Sequence, residues 1–409
     1  MSTLAAPSSI PPLRQDAAVI GLVGLAHGVS HFSQLLLPPL FPWLKEAFGA
    51  SYTQLGLLLT IFFVVSCAVQ TLSGFIVDRF GPRPVLMAGL ALIGLAATGY
   101  ALAPSYAVLA LCAVIAGIGN GVFHPVDYTL LNAKVHKSRL GHAYSVHGIT
   151  GSLGWALAPA LMVPVAMTAG WRTALFCGAA VAFVVLAVLW WQRERLLHVP
   201  AAPAAHHEAA GSFDFLKLPA VWMCFGFFFF YAGALSVVQT YAPEAARQLH
   251  GVPVHLAAMC LSVYMVCSAA GMVAGGFLAT DPARCERIVG IGFGIAACVA
   301  LLLAFSRVPA FAVPVLFGVM GGAAGIAGPS RDLLVKRSTP DGATGRVYGV
   351  VYSGLDIGQA ITPLVFGAMM DGHVYQGVLV GLAALQLVLI ASAFNVRRVA
   401  RPAVRPASA

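Results

Sequence analysis

Two histidines and a glutamine recur at helical spacing in the first apolar segment of the chain. His27, His31 and Gln34 stand at positions i, i+4 and i+7, so a helix places them on one face. At about 1.5 Å per residue, both histidines lie roughly 15–21 Å along that segment, near the middle of a bilayer. Because histidine titrates near pH ~6.5, this face is a candidate proton site. Alternatively, each imidazole bonds a carbonyl or a neighbouring helix and moves no proton.

A second group of polar side chains interrupts the later apolar segments. They are His124 and Asp127, on one helical face with Asn120; His147, on one face with Tyr144; Tyr231 and Gln239; and Asp356 and Gln359, on one face with Tyr352. An ionisable side chain inside a membrane is costly to keep and is therefore a functional candidate. Asp356 is the acid that we place deepest. There a carboxyl group can take up and release a proton as access alternates, or form a structural hydrogen bond to a neighbouring helix.

The chain that carries these residues is far more apolar than a soluble protein. Of its 409 residues, 59% are hydrophobic and 9% are charged, and the mean hydropathy is +0.87. Soluble domains contain about 25% charged residues, which disfavours a soluble enzyme, a disordered chain and a nucleic-acid binder. The long continuous apolar runs favour spanning helices over a β-barrel. The sequence therefore predicts an all-α polytopic membrane protein.

Twelve apolar segments are separated by short polar or Pro/Gly-containing turns. They cover residues 17–44, 52–77, 84–103, 105–131, 141–166, 172–191, 217–240, 253–278, 287–305, 308–331, 344–369 and 373–395. The longest polar interruption divides the segments six and six. The predicted domains are a cytoplasmic tail at 1–16, a six-helix bundle at 17–191, a cytoplasmic linker at 192–216, a second six-helix bundle at 217–395 and a cytoplasmic tail at 396–409.

Positive charges gather on one side of these segments. With both ends of the chain in the cytoplasm, the outer side holds only four of the 23 Lys and Arg residues, namely Lys45, Arg172, Arg247 and Arg307. Loops on the cytoplasmic side of membrane proteins carry such an excess of positive charge. We therefore predict a multi-pass protein of a bacterial-type inner (plasma) membrane with both termini cytoplasmic.

An internal repeat relates the two halves. At an offset of 204 residues, Pro125 aligns with Pro329, Leu130 with Leu334, Gly141 with Gly345, Tyr144 with Tyr348, Gly154 with Gly358 and Pro159 with Pro363. Parallel six-helix repeats related by an axis along the membrane normal are typical of transporters that bind substrate between two bundles. The expected fold is thus twelve helices in two bundles related by pseudo-two-fold symmetry.

Arg331 and Asp332 follow Pro329 at the cytoplasmic end of the tenth segment. The repeat places Arg331 opposite Asp127 across the pseudo-two-fold axis, so these two charges are candidates for an ion pair that closes an inner gate. Arg331 could equally anchor the end of its helix at the membrane surface.

The turn between the second and third segments carries a specific motif. It reads Gly74-Phe-Ile-Val-Asp78-Arg79-Phe-Gly81-Pro-Arg83. This resembles the G-x-x-x-D-R-x-G-x-R/K signature of the major facilitator superfamily, and the six-plus-six layout extends the resemblance over nearly the whole chain. The resemblance implies that Asp78 steadies the outward-facing state by pairing across the halves, and that Arg79, Gly81 and Arg83 belong to the same gating turn.

Two further stretches resemble the fosmidomycin-resistance branch of that superfamily. The fourth segment contains Gly117-Ile-Gly119 followed by Phe123-His124-Pro125, and the fifth contains a Gly-rich run that ends at Pro159. The opening of the first segment, from His27 to Pro38, is also similar. The resemblance implies a proton-driven exporter of small compounds, phosphonate antibiotics among them.

These patterns together predict a proton-coupled secondary transporter that exports a small organic compound by alternating access. One alternative is an organic-acid uptake symporter in which Arg331 or a protonated histidine binds the carboxylate. Another is a divalent-metal carrier, because His27, His31, His124 and Asp127 could converge as nitrogen and oxygen ligands.

Other classes of activity find no support in the sequence. The chain has no P-loop, no H-E-x-x-H motif and no nucleophile elbow, so we predict neither an enzyme nor a nucleotide or other cofactor. The eight cysteines show no C-x-x-C spacing, which argues against a disulfide framework and a cysteine zinc site. The expected partners are a small-molecule substrate, protons and the lipid bilayer, with no nucleic acid, and the expected state is a monomer.

Overall fold

The structure is a computed structural model that describes residues 13–197, 219–278, 284–338 and 344–400. Side chains are described throughout these ranges except at 219–220, 331–338, 344–352 and 393–400.

Helices account for nearly all of the described chain. They are α1 (Leu13–Gln34), α2 (Phe41–Phe48), α3 (Tyr52–Phe80), α4 (Pro82–Leu102), α5 (Tyr106–Asn120), α6 (Phe123–Lys134), α7 (Leu140–Ala169), α8 (Trp171–Trp191), α9 (Pro219–Thr240), α10 (Ala242–His250), α11 (Val254–Leu278), α12 (Cys285–Phe305), α13 (Ala312–Ser338), α14 (Thr344–Asp371) and α15 (Tyr375–Ala400). Among the described residues no strand occurs, and the predicted all-α class is confirmed.

The helices make twelve passes through the molecule. Eleven helical segments of the described chain are long and apolar enough to cross a membrane, and α14, with 28 residues, is the remaining one. The short helices α2 and α10 follow the first and seventh passes, and α5 and α6 together form the fourth. This agrees with the twelve predicted segments. We call the side at which α1 begins the termini side, and the opposite side the far side.

The fourth pass is broken, whereas the sequence predicted one helix over 105–131. The break falls at Gly121 and Val122, one turn before Pro125. Proline has no backbone N–H, so the carbonyl of Gly121 loses its usual helical donor. The hydroxyl of Ser73 on α3 donates to that carbonyl at 3.4 Å instead. The break starts a new helix, α6, immediately before the polar residue His124.

The repeat is visible in how the short helices end. Both α2 and α10 end at a glycine in the left-handed conformation, Gly49 with φ of 59° and Gly251 with φ of 62°. Residues with a Cβ rarely adopt this conformation, and glycine is the usual way to end a helix in it. The two halves of the chain therefore share the order of long helix, short helix, glycine turn and long helix.

The two halves contact each other from the far side to the middle of the molecule. Helix α3 packs against α14, and α7 packs against α11. The hydroxyl of Thr60 donates to the carbonyl of Ala360 at 2.6 Å, and the hydroxyl of Ser262 donates to the carbonyl of Ala156 at 3.1 Å. These helix pairs close the far side and bound a cavity in the middle.

The predicted domain boundaries remain predictions. Helix α8 ends at Trp191, next to the predicted start of the linker, and a short 3₁₀ turn follows at Arg193–Leu196. The rest of the linker, from 198 to 216, and residues 1–12 and 401–409 of the tails lie outside the described part of the chain.

Candidate functional site

A cavity of about 240 Å³ lies between the two halves. Its polar lining comes from His31, Gln34, His124, Ser152 and Trp155 of the first half and from Tyr231, Tyr264, Ser268, Asp356 and Gln359 of the second. Six of these had been predicted as site residues from the sequence: His31, Gln34, His124, Tyr231, Asp356 and Gln359. The cavity is thus a small, mixed polar and apolar chamber to which both halves contribute.

Four histidines and one aspartate form a compact group on the first-half side of this cavity. This histidine–aspartate cluster consists of His27 and His31 on α1, His124 and Asp127 on α6, and His147 on α7. The ring of His27 lies at the centre, with its centroid 3.5 Å from that of His147, 4.3 Å from His31 and 5.3 Å from His124. Three separate helices therefore bring one set of ionisable groups together, and the sequence predicts all five as site residues.

Asp127 holds two of the imidazoles through a single oxygen. Its Oδ2 atom lies 3.1 Å from Nδ1 of His27 and 3.1 Å from Nε2 of His147. The carboxylate has no exposed surface, and its Oδ1 atom has no hydrogen-bond partner among the described residues. A buried carboxylate that accepts from both rings fixes their orientation and leaves the second nitrogen of each ring with a lone pair.

A glycine gives the rings the space they occupy. Gly151 lies on α7 one turn after His147, and a Cβ there would stand 2.7 Å from Nδ1 of His31 and 3.0 Å from Nε2 of His27. Both distances are well below ordinary van der Waals contact. The absence of a side chain at this position therefore allows α1 and α7 to bring their histidines together.

Trp155 extends the cluster toward the cavity. Its ring stacks on His31, with 4.2 Å between the centroids, and its Nε1–H donates to Oε1 of Gln34 at 2.9 Å. Trp155 stands at i+8 from His147 and i+4 from Gly151, so it continues the helical face that carries His147. The spacing was sufficient to find this residue.

Asn120 connects the same face of α1 to α3. Its Oδ1 atom accepts from the hydroxyl of Ser30 at 2.7 Å and from Nε2 of Gln34 at 3.4 Å, and its Nδ2 donates to the hydroxyl of Ser66 at 2.9 Å. Asn120 is the last residue of α5, directly before the helix break. One buried amide thus joins three helices beneath the site.

Asp356 approaches the cavity from the second half. It lies half-buried on α14, where Nε2 of Gln70 on α3 is 3.5 Å from its Oδ2 atom and Cys67 on α3 lies beside the carboxyl group. Both neighbours belong to the first half. The carboxyl group therefore lines the cavity and also contacts the opposite half.

Comparison with known proteins decides the family. The family model described as Major Facilitator Superfamily matches residues 23–363 and 242–409. The chain belongs to the Major Facilitator Superfamily. It is accordingly a polytopic membrane transporter and not an enzyme.

Two curated relatives match over most of the chain. The MFS-type transporter YfnC of Bacillus subtilis is 26% identical over 383 residues, which cover 92% of this chain and 90% of the relative. The fosmidomycin resistance protein of Escherichia coli is 26% identical over 309 residues, which cover 71% and 72% of the two chains. The resemblance to this branch, predicted from motifs, is thereby confirmed.

A solved structure supports the same fold. A bacterial homolog of the human lysosomal transporter Spinster, in an inward-facing and occupied conformation, superimposes with a TM-score of 0.75 and covers 95% of this chain and 99% of its own. The two sequences are 15% identical, so the likeness concerns the fold alone.

The superfamily motif forms the turn that the sequence predicted. Gly81 ends α3 and precedes α4 with φ of 81°, a conformation that favours glycine. Arg83 lies 3.9 Å from the exposed Glu194, and the guanidinium of Arg79 lies 5.3 Å from the ring of Phe80. Asp78 is exposed on the termini side. The gating role implied for these residues remains a prediction.

Besides the residues of that turn, three predicted site residues lie apart from the cavity or outside the described side chains. Gln239 is buried near the far side, beside a separate small pocket between α2, α10 and α11. Arg331 and Asp332 fall on α13 where side chains are not described, so their proposed gate is untested. Asp127, the partner predicted for Arg331, is fully buried and contacts two histidines through its Oδ2 atom.

The contact that closes the far side is not predicted from the sequence. The carboxylate of Asp371, at the end of α14, accepts from the backbone amides of Tyr52 and Thr53 at the start of α3. Tyr241 completes this closure by donating to the carbonyl of Pro363 at 2.9 Å. Asp371 falls between two predicted segments, and no local pattern indicates its partner 318 residues away.

Proposed function

We propose that this transporter couples the movement of a small organic compound to protons, and that it works as an exporter by alternating access. The observation that carries the proposal is the cavity itself. It lies between the halves, and it holds ionisable groups from both of them: His31 and His124 on one wall and Asp356 on the other.

Asp356 is the residue that we assign to proton coupling. Among the described residues that line the cavity, it is the only carboxylic acid. Its contacts with Gln70 and Cys67 cross between the halves, so they must change when the halves move. A carboxyl group whose partners differ between two states binds protons differently in each, which is the requirement for coupling.

The histidines and amides of the first half are assigned to the substrate. His31, His124, Gln34 and Trp155 offer nitrogen donors and an aromatic face to a small ligand, and Tyr231 and Gln359 face them from the second half. Pockets of this kind fix a ligand by a few polar groups within an apolar lining.

The direction of transport is proposed from the relatives. The relative that matches 71% of this chain is named for resistance to fosmidomycin, which favours export. Other partial matches are named as a probable sulfoacetate transporter and a probable L-galactonate transporter, which places organic acids in the set of compounds to screen. We further propose a bacterial inner-membrane location with both termini cytoplasmic, on the charge distribution alone.

The test is proton movement in proteoliposomes that contain a pH-sensitive dye. Phosphonates, organic acids and cationic drugs are added in turn to the parent protein, to Asp356→Asn and to Asp356→Glu. We expect one class of compound to release protons in exchange, Asp356→Asn to abolish that signal, and Asp356→Glu to retain part of it. Glu46→Gln, which neutralises an exposed acid on α2, serves as the matched control.

Two results would overturn the proposal. If the compound moves with no proton signal in the parent protein, the transporter is not proton-coupled. If protons move in the same direction as an organic acid, the transporter is an uptake symporter.

A further inference from the structure

The histidine–aspartate cluster contains more nitrogen ligands than a proton site requires. We infer that His27, His124 and His147 bind a divalent transition metal ion, with Zn²⁺ as the representative, and that Asp127 orients two of these ligands. This inference does not depend on the transported compound or on proton coupling.

The three imidazoles lie close enough together for one ion to bind all of them after a small rotation of the rings. One ring nitrogen of each histidine lies within 4.8 Å of those of the other two. Ligand atoms around a tetrahedral ion, at about 2.1 Å from it, lie about 3.4 Å apart. The three helices that carry the rings, α1, α6 and α7, are packed together within one half, so ring rotation can close this difference.

Asp127 supplies the outer contact that metal-binding histidines usually have. A histidine that binds a metal through one nitrogen typically donates its other N–H to a carboxylate or a carbonyl. The Oδ2 atom of Asp127 lies 3.1 Å from one nitrogen of His27 and from one nitrogen of His147. The carboxylate has no exposed surface, and it also places a negative charge beside the ion.

The cluster can be reached from the cavity, and its nitrogen ligands favour particular metals. His124 lines the cavity between the halves and is only partly buried, so an ion can reach the cluster through the cavity. Three protein ligands leave a fourth coordination position for water or an oxygen of a ligand. Imidazole nitrogen favours zinc, copper, nickel and iron, whereas magnesium and calcium favour oxygen.

The experiment measures Zn²⁺ binding to the purified full-length transporter in detergent, by equilibrium dialysis with elemental analysis and by thermal unfolding. The background carries Cys298→Ala and His206/His207→Ala, because an exposed thiol and a histidine pair can bind zinc on their own. We expect one tightly bound Zn²⁺ per chain and a raised unfolding temperature. An equal concentration of Mg²⁺ should cause neither.

The variants separate the ligands from the rest of the chain. We expect Asp127→Asn to weaken Zn²⁺ binding roughly 10–100-fold, as is usual when the partner of a metal-binding histidine is removed. His124→Gln should weaken it at least as much. His142→Ala, an exposed histidine on the same helix as His147, is the matched control and should leave binding unchanged.

His124 keeps the test decisive if a buried variant fails to fold, because it borders the cavity and can be replaced there. Zn²⁺ binding that is absent from the parent background, or that persists at full affinity in His124→Gln and Asp127→Asn, would overturn the inference.

Discussion

The carboxylate of Asp371 and the amide of Thr53 join the two halves of the transporter at the far side. Oδ2 of Asp371 accepts from the amide of Thr53 at 2.9 Å and from its hydroxyl at 2.6 Å, and Oδ1 accepts from the amide of Tyr52 at 2.7 Å. These amides begin α3 and have no partner within that helix. An acid from the second half therefore caps a helix of the first half, and the positive end of the helix dipole strengthens the contact.

We expect Asp371→Asn to open the far side more often. Asparagine has one acceptor oxygen in place of two and carries no negative charge, so it cannot hold both amides as the carboxylate does. Loss of such a cap costs about 1–2 kcal/mol, or about tenfold in the equilibrium. Spin labels at the exposed positions Ala47 on α2 and Leu249 on α10, in a cysteine-free background, report the separation of the halves. A shift toward longer distances is expected, and Glu46→Gln should cause none. An unchanged distribution in Asp371→Asn would show that the cap does not hold the gate.

The contact between α3 and α14 depends on Gly56. A Cβ at this position would lie 2.5 Å from the hydroxyl of Tyr241 and 2.6 Å from the carbonyl of Pro363. We expect Gly56→Ala to force these helices apart on the far side and to disfavour the closed state by about 1–3 kcal/mol, the usual range for overpacking. The same spin-label pair should report longer distances.

The control for this variant is Gly294→Ala on α12. An added Cβ there meets no atom within 4 Å, so the distances should remain those of the parent. Equal distances in Gly56→Ala and Gly294→Ala would mean that the helices adjust to the extra carbon without separating.

The amide of Asn120 should contribute to stability as well as to the site. Asn120→Ala removes the partner of two buried hydroxyls, those of Ser30 and Ser66, and of the half-buried amide of Gln34. Each buried group left unpaired costs about 1–3 kcal/mol. We expect a clearly lower unfolding temperature in detergent. Asn132→Ala removes a hydrogen bond to Tyr144 that is exposed to solvent, so its effect should be far smaller. A similar fall in unfolding temperature in both variants would show that the buried hydrogen bonds of Asn120 add no more stability than an exposed one.

Periodicity and spacing were sufficient for the scaffold and for one wall of the cavity. Long apolar runs predicted the twelve passes, and the helical spacing of His27 and His31 placed both on one face, because regular helices convert sequence distance directly into geometry. The convergence of His147 and Asp127 on His27 was not predictable in the same way. It depends on how three helices cross, and Gly151 controls that crossing by the absence of a side chain.

Local sequence patterns do not predict the contacts between the halves. Asp371 reaches Thr53 across 318 residues, and its partners are mostly backbone amides, which have the same chemistry in every residue except proline. The break before α6 was easier to predict, because Pro125 has no backbone N–H to donate to the carbonyl of Gly121. The apolar run nevertheless predicted one helix over 105–131, whereas the chain breaks at Gly121 and the hydroxyl of Ser73 contacts the freed carbonyl.

Because the histidine–aspartate cluster lies within one half, ligand binding and the equilibrium between open and closed states depend on different residues. His27, His124, His147 and Asp127 all sit on α1, α6 and α7, whereas Asp371 and Gly56 lie where the halves meet. Substitutions in the cluster can therefore alter ligand chemistry while the equilibrium between open and closed states stays constant, and substitutions at the interface can do the reverse. Directed evolution of selectivity and of turnover can accordingly proceed on separate libraries of positions and be combined afterwards.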